Sequence, residues 1–310
     1  MSQVSFKDIG LKYVLSPYDK PVARVEQGET LILETEDACS GQIRKKGDTR
    51  DRGKIPYANP VIGPIYIKGA EKGDTLAVAI EEIEPLIGQG VTYLSKFNEN
   101  YIASVPVFKF MKVSLPHEAK ICLIRDGFVK FSDKISIPYQ PMVGTIGVAP
   151  FLETESISSG VLPDKHGGNM DIPEVAPGST IFLPVYHKGA LLYAGDVHAV
   201  QGDGEITGTA IEMPAKTKIK VDVLKGKLIS WPRIETESEI VSVVSASAGR
   251  TLEDAIRTAY LELALWMEEE YGLDRFEGLM LCGQVGKIRI GNLWSVATKI
   301  EKKYLNSIKN

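Results

Sequence analysis

Residues 195–205 read GDVHAVQGDGE. These eleven positions hold one of the chain's four histidines, two aspartates, a glutamate, a glutamine and three glycines, set between the apolar segments VYHKGALLYA and ITGTAIEM. In an extended chain, Asp196 and His198 project from one face at i, i+2, while Gln201, Asp203 and Glu205 form a second series of opposite parity. All five converge only if the chain bends around 200–202, and Gly202 and Gly204 permit such a bend. A carboxylate and an imidazole on one strand, with a further carboxylate past a glycine turn, make half of a metal site. The same residues also suit a hairpin tip with polar decoration, and the segment alone does not separate the two.

Two other stretches offer ligands. KHGGNMD (165–171) groups His166, Asn169 and Asp171 around two glycines whose backbone amides can meet an anion; an ordinary turn uses Asn and Asp in the same way. In LILETEDACSG (31–41), Asp37 ends a β-like run, as a strand-end ligand or as a turn aspartate. Other chemistries lack support. There is no GxSxG elbow for a serine nucleophile, and neither GxGxxG nor a P-loop for a nucleotide. Cys282, in LMLCGQVG, reads as a buried, inert thiol. His117 and His187 stand beside turn residues and read as surface or turn histidines.

The elements that must position these residues are mostly strands. Apolar runs of four to eight, rich in Val, Ile and Thr, recur over the first 250 residues. VEQGETLILETE (25–36), AEKGDTLAVAIEEI (70–83) and VAPGSTIFLPV (175–185) share a glycine for a tight turn and a threonine that opens a strand. In KTKIKVDVLKGKLIS (216–230), Ile219, Val221 and Val223 alternate with Lys218, Lys220 and Asp222, as in a strand with one wet face. After SVVSASAG the period changes to 3.6: Thr251 caps a helix carrying Leu252, Ile256, Ala259, Tyr260, Leu263 and Trp266, which stops near Tyr271 and Gly272. A shorter helical segment follows over 273–285. The charge-rich IRKKGDTRDRGK (43–54) reads as a solvated, mobile loop, or as a lid or subunit contact following Asp37 and Ser40. The expected fold is mainly β, with a sandwich or barrel-like core and a helical α+β C-terminal part. It forms one compact unit over 1–310, mainly β over 1–245 and helix-containing over 246–310.

Of the 310 residues, 44% are hydrophobic and 25% charged, and the net charge is −4. Such a balance argues against nucleic acid or an anionic membrane as the main partner. The first residues lack the basic head and apolar run of a secretory signal, and no stretch approaches eighteen consecutive apolar residues. Cys39, Cys122 and Cys282 are an odd, scattered set without CxxC, so the cytoplasm is the expected compartment.

Taken together, ETEDACSGQI (34–43), NPVIGPIYIKGAEKGDTLAVAIEEI (59–83) and the long run HGGNMD…GDVHAVQGDGEITGTAIE (166–212) resemble the acetamidase/formamidase family, over most of residues 25–225. LCGQVGKIRIGN agrees more loosely, and QPMVGTIGVAPFLET reads as a site-lining loop. The resemblance implies a mainly β amidohydrolase acting on short aliphatic amides, with a divalent metal and a homo-oligomeric, first of all dimeric, assembly. The family's polar positions fall on Asp37, Asp171, Asp196, His198 and Glu205, with Gln201, Asn169 and Glu212 in the same motifs.

Without a credible Ser or Cys nucleophile, metal-activated water is the economical route to amide cleavage. The expected assignments are Asp37, Asp171 and His198 on the metal, with Asp196 as a ligand or orienting group. Glu205 acts as general base, and Gln201, Asn169 or the amides of Gly167 and Gly168 steady the oxyanion. Zinc is the first choice, with Mn²⁺, Mg²⁺ or Ca²⁺ as alternatives. The rival readings are hydrolysis of another linear or cyclic C–N bond, and a non-catalytic β-domain with a structural metal.

Overall fold

The repeated Gly-x-Thr pattern marks three strand starts in one sheet. Gly28, Gly73 and Gly178 all take positive φ in tight turns, and strands Thr30–Thr35, Thr75–Pro85 and Thr180–Pro184 follow. The last two pair antiparallel, and Ala215–Leu224 bridges the first two. That bridging strand alternates as its sequence dictates, with Ile219 and Val221 buried and Lys220 and Asp222 exposed.

The computed structural model describes residues 2–94, 116–161, 163–247 and 249–306. Among the described residues, nineteen strands fall into two large, mostly antiparallel sheets. One has nine strands, in the order 2–5, 30–35, 215–224, 75–85, 180–184, 233–235, 239–245, 295–301, 287–290. The other has ten, running 136–138, 128–130, 118–125, 89–94, 212–213, 192–198, 142–148, 167–169, with 61–67 paired to 192–198 and 23–25 paired to 61–67. Side chains of both share one buried apolar cluster, Leu183, Ile219 and Val243 from the first and Ile146, Leu192 and Val197 from the second. This is the mainly β layered fold expected. Segment 142–148 is a fully buried strand rather than a loop.

The C-terminal helices cover the nine-stranded sheet at its later strands. Thr251 caps Leu252–Tyr271 by accepting from the Asp254 amide, and Gly272 ends it in the left-handed conformation. The buried stripe runs through Ala255, Ala259, Leu263 and Trp266, with the expected Leu252 and Ile256 packed partly buried beside it. Leu263, Trp266 and Met267 pack on Ile240 and Ile300, each large side chain contributing about 1.5–3 kcal/mol of apolar burial. A second helix, Arg275–Val285, starts from an Asp274 cap.

Segment 43–54 is tied down rather than solvated throughout. Ile43 is buried, Arg44 pairs with Glu36 and Asp37, and Arg50 donates to the Tyr93 hydroxyl at 3.2 Å.

Candidate metal centre

Strand Leu192–His198 is where the ten-stranded sheet opens. On one side it pairs with Met142–Val148. On the other, residues 192–195 pair with Val61–Ile67, whereas Val197 and His198 pair with Met213 and Glu212. Asp196 falls in the gap between these two neighbours and has no register partner on either side. It takes a left-handed backbone, φ 56°. Asn59, Asp171 and Glu205, also non-glycine, share this region at φ 55°, 50° and 42°, and each such residue costs about 1 kcal/mol or more. Opposite the gap stands Gly144, where a Cβ would lie 2.5 Å from Asp171 Oδ1 and 2.8 Å from His198 Cε1. Only a glycine leaves that volume to the side chains.

Those side chains converge. The ligand atoms of Asp171, Asp196 and His198 lie within 4.8 Å of one another, as do those of His198, Glu205 and Glu212. His198 Nε2 is 3.4 Å from Asp196 Oδ1 and 3.2 Å from Glu212 Oε2. All five residues are buried.

Four of them are divided in the same way, with one polar atom satisfied by the protein and one left over. Asp171 Oδ2 accepts from the amides of Asn169 (2.9 Å) and Asn292 (2.8 Å). Asp196 Oδ2 accepts from Asn59 (2.7 Å) and faces the Thr145 hydroxyl at 3.1 Å. Glu212 Oε1 accepts from the Ala210 amide at 3.0 Å. His198 Nδ1 meets Gln201 Oε1 at 2.9 Å. Their other atoms, Asp171 Oδ1, Asp196 Oδ1, Glu212 Oε2 and His198 Nε2, are buried without a hydrogen-bond partner. Leaving four such groups unmatched costs several kcal/mol. A cation bound in either group would satisfy the unmatched atoms that converge there, and the outer atoms are held as metal ligands require. The cluster can hold a metal ion.

The electrostatics agree. Burial, and then the charge of Asp196, push the Asp171 carboxyl up to about 7. Burial also raises Glu205 and Glu212, with Asp171 adding to the effect at Glu205. Burial opposes charging of His198, yet Glu212 and Asp196 overcome it and raise the imidazole well above its ordinary value. Four carboxylates around one imidazole therefore demand positive charge, as protons or as a cation.

Comparison with known proteins gives this cluster its context. The sequence pattern of the Acetamidase/Formamidase family matches residues 16–159 and 155–242. The chain belongs to that family. A putative formamidase of Schizosaccharomyces pombe is 30% identical over 256 residues, covering 67% of this chain and 62% of the relative. The acetamidase of Mycolicibacterium smegmatis is 29% identical over 264 residues, with coverages of 67% and 64%. The matches thus span a little under two thirds of these curated relatives. A crystal structure of an acetamidase from Yersinia enterocolitica superposes with a TM-score of 0.89 at 36% identity, covering 98% of this chain and 93% of that one.

Within this family member, the structure separates the site residues expected from sequence. Asp171, Asp196, His198 and Glu205 come together. Asp37 stands in neither convergent group. Its Oδ1 accepts from the amides of Cys39 and Gly41, and its Oδ2 is taken by Arg44, seven residues on. Asp203 turns outward to Arg289. The bend falls at Gly204 and Glu205 rather than at 200–202, through successive turns closed by Glu205 N to Gly202 O and Gly208 N to Glu205 O.

Asn169 and Gln201, expected to face an oxyanion, have other partners. The Asn169 carbonyl oxygen accepts from Asn59 (2.9 Å) and Thr145 (2.7 Å), while its amide donates to Asp171. Gln201 donates to the carbonyls of Asp171 (2.7 Å) and Gly291 (3.1 Å). The Gly167 amide is spent on Asp164 O, and buried His166, pushed down to about 4 by desolvation, stands outside the cluster. Asn59, Thr145 and Asn292 carry no signal in single-sequence reading. Each is a lone polar residue in apolar sequence, and Asn292 lies beyond the span that the family pattern matches.

Proposed function

We propose that this protein is a metal-dependent amidohydrolase that cleaves short linear amides to a carboxylate and ammonia. The observation that carries the reading is the set of four buried, unpartnered ligand atoms on Asp171, Asp196, His198 and Glu212. Family membership and relatives named acetamidase and formamidase support the choice of substrate.

Asp171 Oδ1, Asp196 Oδ1, His198 Nε2 and Glu212 Oε2 would hold the ion. A divalent cation supplies Lewis acidity there, polarising the amide carbonyl and making water easier to deprotonate. Zinc is our assignment, since an imidazole–carboxylate set binds it more tightly than Mn²⁺ and its hard rivals Mg²⁺ and Ca²⁺. Glu205 is the general base. Its carboxyl is pushed upward by burial, which makes its ionised form a stronger proton acceptor, and neighbouring positive charge returns it to that form. It takes a proton from water as the water oxygen adds to the carbonyl carbon. It then gives that proton to the nitrogen as the C–N bond breaks, releasing ammonia. Asn169 and Asn292 fix Asp171, Asn59 fixes Asp196, and Gln201 fixes His198.

The whole chain, 1–310, acts as one unit in this reading, in the cytoplasm and as a homodimer. Three buried, unpaired cysteines suit that compartment. Phe276, Leu279 and Met280 leave apolar side chains exposed at i, i+3, i+4 on helix Arg275–Val285, which supports self-association. Among the described residues, no helix is long and apolar enough to cross a membrane.

Elemental analysis together with ammonia release from formamide and acetamide tests the proposal. A stoichiometric divalent metal is expected, with activity lost on chelation and restored by that metal. Full turnover in protein stripped of metal would rule the reading out.

A further inference from the structure

A cleft of about 370 Å³ meets the cluster at Glu205. Of the five clustered residues, Glu205 alone lines it, beside Gln201, so a substrate in the cleft presents its reacting end to Glu205. The rest of the wall is largely apolar, built from Phe131, Ile137, Val200, Ile206, Ala210 and Ile211. Phe131, Ile137 and Val200 are half-buried extensions of the main core, whereas Ile206 is exposed at the rim.

Size and charge narrow what belongs there. Acetamide has four heavy atoms and displaces roughly two or three waters of about 30 Å³ each. The cleft instead falls within the roughly 300–1,000 Å³ range that holds much larger organic molecules. Among the described residues its lining contains no Lys, Arg or His; the charged members are Glu205 and Asp203, the latter paired with Arg289. A second carboxylate on the substrate would find no cation and would be repelled.

We propose that the preferred substrates are neutral primary amides whose apolar acyl group is several carbons, or one ring, larger than acetyl, with Phe131 and Ile137 setting that preference. The proposal rests on the amidohydrolase reading and names the substrate class of the same site. The chemistry is the hydrolysis already described: water adds, the C–N bond breaks, and a longer carboxylate leaves with ammonia.

The test is kcat/KM for ammonia release by the metal-loaded protein from acetamide, butyramide, hexanamide, phenylacetamide and succinamate. Each buried CH₂ is worth about 0.8 kcal/mol, or roughly fourfold. Hexanamide or phenylacetamide should therefore exceed acetamide by at least about tenfold, with succinamate below butyramide. Phe131→Ala and Ile137→Ala should each lower the ratio of kcat/KM for hexanamide to that for acetamide about fivefold or more. Calorimetry on the Glu205→Gln protein adds a readout free of turnover, in which hexanamide should bind at least about tenfold more tightly than acetamide. A flat or falling profile with acetamide still cleaved overturns this inference and leaves the amidohydrolase reading standing. Absence of ammonia release from every amide overturns both.

Discussion

Gln201 stands behind His198, its Oε1 2.9 Å from the imidazole Nδ1. Its Nε2 donates to the carbonyls of Asp171 and Gly291, which fixes the amide so that Oε1 can only accept. Nδ1 must then carry a hydrogen in either charge state, so Nε2, facing Asp196 and Glu212, is the atom whose proton a cation would displace. One glutamine thereby sets a tautomer and ties the ligand strand to the turn at Gly291.

Gln201→Leu removes that control while keeping a similar volume. Metal affinity should fall about 10–100-fold, the usual cost of losing a partner behind a ligand. At saturating metal, kcat should recover further than metal affinity does. Competition against a fluorescent chelator measures the first effect and ammonia release the second; unchanged affinity would count against the tautomer assignment.

Glu205 and Glu212 both approach His198, but Glu212 holds a fully buried, unpartnered oxygen there, whereas Glu205 also lines the open cleft. Glu212→Gln should therefore abolish stoichiometric metal binding and activity together. Glu205→Gln should keep the metal and lose about 10²–10⁴-fold in kcat, the range for a general base. Metal content of the two purified variants distinguishes the roles. If Glu205→Gln emerges metal-free, Glu205 belongs with the ligands.

Much of this arrangement is legible in sequence because local chemistry dictates it. The Gly-x-Thr starts, the Lys218–Asp222 alternation and the Thr251-to-Gly272 helix each depend on residues within a few positions of one another. Asp196 and His198 are legible for the same reason, at i, i+2 on one strand. The rest depends on distant pairing. Asp37 reads as a strand-end or turn aspartate in sequence, and its pair with Arg44 appears only in the fold. Glu212 joins the cluster by sitting opposite His198 in the ladder. Asn292 reaches Asp171 across 121 positions of chain, a contact that no periodicity encodes.

Gly144 tests whether the cluster's volume is as tight as it stands. In Gly144→Ala the new methyl meets Asp171 Oδ1 at 2.5 Å and His198 Cε1 at 2.8 Å, below any normal contact. Both ligands must move, although the surrounding strand needs no positive φ there. The variant should fold, with a loss of about 1–3 kcal/mol from overpacking, and should bind metal much more weakly. Thermal denaturation and metal titration report the two effects. Wild-type affinity in a folded variant would show that the site has room to spare.

Chelated protein should become less stable as pH rises, because its buried carboxyls favour the protonated form. Asp171 rises from 3.8 to about 7 in the fold. Between those values the unfolded chain releases a proton that the folded chain keeps, so stability is full below about 4 and declines as pH climbs to about 7. The rise corresponds to about 4 kcal/mol for this residue. Glu205, Glu212 and His198 are all raised as well, so each loses stabilisation in the same direction. A bound divalent cation replaces the protons and should remove the decline. Urea denaturation at pH 5, 6, 7 and 8 in chelator, repeated with excess zinc, separates the two cases. The chelated series should fall steadily, and the gap to the zinc series should widen with pH. Parallel curves would mean that these carboxylates already have a counter-charge without the metal.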